Sequence, residues 1–65
     1  MTANEILAVF RLKGVTQMSI ARKFDVSHVM IHQVIHGRSK SRRIQEEIAR
    51  ILGKDIDEIW SSYVA

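Results

Sequence analysis

Along the chain, the apolar residues gather into five clusters with helical spacing, most of them bounded by residues that start or stop helices. Ile6, Val9 and Phe10 make one stripe, Ile20, Ala21 and Phe24 a second, and Ile31, Val34 and Ile35 a third. Ile44, Ile48, Ile51 and Leu52 make a fourth, and Ile56, Ile59, Trp60 and Tyr63 predict a short fifth helix. Residues three, four and seven apart share one side of an α-helix, because each turns the chain by about 100°. No segment alternates with period two, so no strand is expected. Gly14, Gly37 and Gly53 each follow one of these stretches, where glycine can end a helix in the left-handed conformation. Thr2 with Glu5, and Asp55 with Glu58, have the spacing of reciprocal capping pairs, and Thr16 and Ser27 are natural caps for two more helices. The expected fold class is all-α: five short helices forming a single domain over residues 1–65.

Composition narrows what such a domain can be. The chain has no cysteine, so neither disulfides nor thiolate metal sites can brace it, and stability has to come from the 46% of residues that are hydrophobic. No apolar run approaches the ~18 residues of a membrane span, and "MTANEILAVF" lacks the basic start of a secretion signal. The expectation is a cytoplasmic, nucleoid-associated protein with no membrane contact. The net charge of +3 hides a sharper division. Residues 11–43 carry eight basic side chains against Asp25 alone, whereas residues 44–65 carry two against five acidic ones. A basic middle beside an acidic end points to one surface suited to a polyanion, or to charges that merely segregate on a solvated surface.

The stretch "QMSIARKFDVSHVMIHQVIH", residues 17–36, makes the choice more specific. It reads as helix, short turn, helix, with Ala21 small where two crossing helices must approach. Ile20 and Phe24 point to a core, Val26 plugs the turn, and Ile31 and Val34 lock the second helix down. That set resembles the helix-turn-helix of lambda-repressor-like domains. Such motifs usually place glycine in the turn, where this chain has Asp25, a residue type that also tolerates positive φ. The tail "IARILGKDIDEIWSSYVA" resembles the end of the Ner-like regulators of transposable phages, which close on Ile-Trp-Pro-Ser-Arg-Tyr. Ile59, Trp60, Ser62 and Tyr63 answer to that ending, while its proline and arginine are missing. The resemblance implies a five-helix DNA-binding domain that regulates transcription, as a repressor of phage or mobile-element origin.

Helical geometry assigns roles within that frame. Val29, His32, Gln33 and His36 share one face of the third helix, with His28 at its edge and Ile31, Val34 and Ile35 opposite. The face is polar and uncharged at neutral pH. Gln33 can pair with adenine, an imidazole with a base edge, and Val29 with a thymine methyl. Ser27, His28 and Val29, at the helix start, would penetrate a major groove deepest, so Ser27, His28, Val29, His32 and Gln33 are the expected base contacts. "RSKSRR", residues 38–43, would grip phosphates through Arg38, Lys40, Arg42 and Arg43, with His36 beside them. The resemblance adds Gln17 as a contact to the DNA backbone, with Thr16 next to it. Arg22 and Lys23 can join them or form a solvated face.

The same residues admit other readings. Histidines four apart can share a zinc ion, but His28 and His36 are about 12 Å apart along the axis and no further ligand suggests itself, so no metal is expected. There is no phosphate-binding glycine loop and no nucleophile with its base, so neither an enzyme nor a cofactor or small-molecule site is expected. Glu46 and Glu47 read as the exposed face of the fourth helix. The main rival is a helical protein–protein interaction module without sequence-specific DNA binding. The apolar Ile56, Ile59, Trp60, Tyr63 and Val64 either close the core or pair two copies on a palindromic operator, with recognition helices about 34 Å apart. The expected partner is double-stranded DNA, with monomer and homodimer both open. Neutral histidines near phosphates would also make affinity rise as pH falls from about 8 to about 6.

Overall fold

The computed structural model describes residues 1–60, and these form helices only: α1 (Ala3–Lys13), α2 (Gln17–Phe24), α3 (His28–Ile35), α4 (Arg42–Leu52) and α5 (Ile56–Trp60). The fold class is all-α. Ser62, Tyr63 and Val64, assigned above to the closing segment, lie outside the described residues.

Local chemistry sets where the helices begin. Thr2 accepts from the Glu5 amide at 3.2 Å while the Glu5 carboxylate accepts from the Thr2 amide at 2.8 Å, so two otherwise orphaned donors are satisfied. Thr16 does the same for α2 with Ser19 in place of a glutamate, and Ser27 accepts from the Met30 amide to open α3. At α5 only half of the expected pair forms. The Asp55 amide donates to Glu58 Oε1 at 3.1 Å, but the Glu58 amide is taken by the Asp55 carbonyl, also at 3.1 Å. No bond from the Glu58 amide to the Asp55 carboxylate accompanies it.

The ends are equally local. α3 stops one residue earlier than expected: His36 is its C-terminal cap at φ −83°, and Gly37 supplies the left-handed turn at φ 74°. The Gly37 amide then reaches the Val34 carbonyl and the Arg38 amide the Gln33 carbonyl, at 3.0 and 2.8 Å. α2 ends on Asp25, the only non-glycine residue with positive φ among those described, at 55°.

One core joins the five helices: Ile6 and Phe10, Ile20 and Ala21, Ile31, Val34 and Ile35, Ile44, Ile48 and Ala49, and Ile59 with Trp60 are all buried. Val9, Phe24, Ile51, Leu52 and Ile56, expected inside, are half-buried: Val9 lies at the rim of its stripe, and Phe24 and Leu52 are the last residues of their helices. α2 and α3 are joined by the three-residue turn 25–27, α4 spans the bundle against α1, α3 and α5, and the Met1 nitrogen donates to the Ile59 carbonyl at 2.7 Å. The Cα radius of gyration, 10.6 Å, is what about 60 residues give when packed as one unit.

Glu47 corrects the view that α4 shows a free acidic face. Its side chain is only 11% exposed, because Lys23 of α2 and Arg50 of α4 close over it at 2.7 and 2.9 Å. Those two hydrogen-bonded cations hold its carboxyl below the usual carboxylate range, against a smaller opposing effect of burial. The depressed pKa makes this contribution to stability complete above the ordinary value of 4.5, and it is lost as pH falls through the folded value. Glu47→Ala leaves two cations unpaired and is expected to cost about 1–2 kcal/mol, read as a lower thermal midpoint at pH 7. The difference from the parent should shrink at pH 3. Asp25→Gly relieves the left-handed strain and should raise the midpoint by a few degrees, about 0.5–1 kcal/mol; a lower midpoint would show that the Asp25 side chain contributes more than its backbone costs.

Candidate nucleic-acid interface

α3 is amphipathic in the sense the sequence requires. Ile31, Val34 and Ile35 are fully buried, while His28, Val29, His32 and Gln33 are exposed on the other side and His36 is half-buried at the end. Val29 is 50% exposed although apolar. Ser27 is exposed, with its hydroxyl engaged as the cap of α3. Thr16 is likewise exposed and occupied with its capping pair, and Gln17 is half-buried beside it.

The imidazoles of His32 and His36 lie against each other, ring centres 4.2 Å apart and tilted by 44°. Burial, and after it the neighbouring His32 and Arg38 charges, hold His36 below the ordinary imidazole value of 6.5. A nearby anion would act against that shift.

The basic loop divides into two kinds of residue. The amides of Arg38 and Ser39 both donate to the Gln33 carbonyl, at 2.8 and 3.3 Å, and the Ser39 hydroxyl meets Met30 Sδ at 3.5 Å. These bonds tie the start of the loop to the end of α3. Arg38 and Lys40 are exposed and pair with no carboxylate among the described residues. Arg42 instead turns along its own helix, 3.8 Å from Glu46, and lines a shallow groove with Asp55 and Asp57. The Arg43 guanidinium lies over the Phe24 ring, 5.3 Å from its centre, bracing α4 against α2. Lys23 is committed to Glu47. The cations grouped together in the sequence therefore have different partners: Arg42 and Arg43 are engaged on α4 and α2, while Arg38 and Lys40, like Arg22 of α2, are exposed with no ion pair among the described residues.

One residue on this side went unnoticed in the sequence. Met18, in the first turn of α2, is 48% exposed and lines a shallow recess with Gln17 and His28. Its signal was an apolar side chain outside the Ile20–Ala21–Phe24 stripe. Among the described residues no three His, Asp or Glu side chains gather as a metal site, and no helix is long and apolar enough to cross a membrane.

No protein-family model, curated protein or solved structure matches this chain.

His36 offers a direct check on the geometry. Proton NMR titration should place its midpoint below 6.5, and His32→Ala or Arg38→Ala should move it upward by removing a neighbouring positive charge. Because the folded value is depressed, the unfolded chain takes up this proton first, so His36 removes stability as pH falls below 6.5. An unshifted His36 in the parent would mean that the ring is freely solvated.

Proposed function

We propose that this protein is a helix-turn-helix regulator of transcription that binds double-stranded DNA, with α3 in the major groove. The observation that carries the reading is the combination on α3 of a fully buried back and a carboxylate-free front, polar except for Val29, flanked by Arg38 and Lys40, which have no ion pair among the described residues. A face that only had to be wetted would not need to exclude carboxylates. A face that approaches a polyanion does.

In this arrangement the two parts divide the work. His28, Val29, His32 and Gln33 offer donors, acceptors and one apolar group to base edges, with Gln33 able to bond the adenine N6/N7 pair. Arg38 and Lys40 neutralise phosphates and supply affinity without sequence information. Thr16, Gln17 and Ser27 sit at the starts of α2 and α3, where backbone amides and the positive helix end favour an anion. Arg42 and Arg43 assist through charge at longer range, since Glu46 and Phe24 already hold them. Regulation would be steric, the bound domain obstructing polymerase, and two copies on a palindrome would double the contact. The chemistry requires no cofactor and no catalytic step.

Selection from a random duplex pool at moderate salt should enrich a defined site. Gln33→Ala and Val29→Ala should each relax particular positions in it, at about 1–3 kcal/mol for Gln33. Lys40→Ala should weaken all sequences alike and reduce the salt slope by about 1. Affinity should rise as pH falls from about 8 to about 6, with the share due to His36 at the acid end because its pKa is lowered. Failure of the folded protein to retain DNA even at low salt would overturn the reading in favour of a protein partner.

A further inference from the structure

We infer that Met18 is a second apolar reader of DNA, so that α2 contributes sequence discrimination through contact with a thymine 5-methyl group; this rests on the DNA-binding reading above. Three large apolar side chains are well exposed among the described residues: Leu12, Met18 and Val29. Leu12 stands at the end of α1, among Arg11, Lys13 and Gly14. Met18 and Val29 instead hold the same place in their helices, each the second residue after the capping hydroxyl of Thr16 or Ser27. Met18 shares its recess with Gln17 and His28, so it borders the edge of the α3 face rather than a separate surface.

The occupant follows from the charge around it. Neither α2 nor α3 carries a carboxylate, the turn between them carries only Asp25, and the one carboxylate paired to α2, Glu47, is closed over by Lys23 and Arg50, so a polyanion approaching these two helices meets little opposing charge. The apolar groups that such a polyanion carries in its major groove are the thymine methyls. Methionine suits that contact, because its unbranched, polarizable side chain adapts to a small group whose position varies with duplex geometry. Among the described residues Met18 is not packed against the core. Ser19 completes the cap of α2 and Ile20 and Ala21 its core face, so Met18 has no part in holding the helix.

The test uses the duplex enriched by the parent protein, with each thymine replaced in turn by deoxyuridine, which removes only the methyl group. Binding is followed by fluorescence anisotropy. The parent should lose about fourfold in affinity at a thymine other than the one released by Val29→Ala, the factor expected from one buried methyl. Met18→Ala should bind the thymine and deoxyuridine duplexes equally at that position, and Met18→Leu should restore most of the difference. Circular dichroism should show the parent fold in both variants, since Met18 is outside the core. Met18→Ala retaining the parent's sensitivity at every thymine would overturn the inference while leaving DNA binding intact. Failure of the parent to enrich any duplex would remove the reading beneath it.

Discussion

The position of α3 depends on a single backbone turn. At φ 55° and ψ 48°, Asp25 ends α2 in the left-handed region and lets the Val26 amide return to the Ala21 carbonyl at 3.0 Å. Val26 then packs against the core, and Ser27 opens the next helix. Ala21, buried with a side chain of one carbon, allows the two helix backbones to approach. Neither helix would persist alone, since eight residues fall short of the ~12–15 at which an isolated helix becomes even marginal. The burial of Ile20, Ile31 and Val34 in the shared core offsets the strain at residue 25, and the exposed side of α3 is aimed as a consequence.

α4 acts as the brace. It joins α2 through the Lys23–Glu47 pair and through Arg43 lying on Phe24. The connection from α3 is therefore held at both ends, by the Gln33 and Val34 carbonyls on one side and by α4 on the other. Arg38 and Lys40 project from a short, doubly anchored segment rather than from a free loop. Ordering such a segment on contact with a ligand costs less conformational entropy than ordering a loose one.

The parts of this arrangement that were legible in the sequence are those set by neighbours in the chain. Thr2 with Glu5, Thr16, Ser27 and the three glycines mark helix ends because a cap is made within three or four residues of itself. Ile31, Val34 and Ile35 could be assigned to the buried side because the helical repeat leaves them no other. The contacts that escaped notice join residues far apart in sequence. Glu47 lies 24 positions from Lys23, and its burial follows from a packing geometry that no local pattern encodes. For the same reason "RSKSRR" looked like one basic patch until Arg42 turned toward Glu46 and Arg43 toward Phe24. Met18 was visible as a letter but not as an exposed side chain. At Asp55 the spacing to Glu58 suits a reciprocal cap, but only the half made by the Glu58 carboxylate forms, and the Glu58 amide bonds the Asp55 carbonyl.

The separation of charge has a further, kinetic meaning. α5 carries Asp57 and Glu58 without a cation, whereas α2 and the α3–α4 connection carry Arg22, Lys23, Arg38 and Lys40 without a carboxylate of their own, so charge is unevenly distributed over a body of net positive charge. In the field of a polyanion such a body experiences torque before it experiences contact. At physiological ionic strength the field decays over about 8 Å, less than half of the molecule's shortest dimension of 17 Å. Reorientation is therefore confined to the last molecular diameter of approach, and its benefit accrues to the rate of association rather than to the lifetime of the complex.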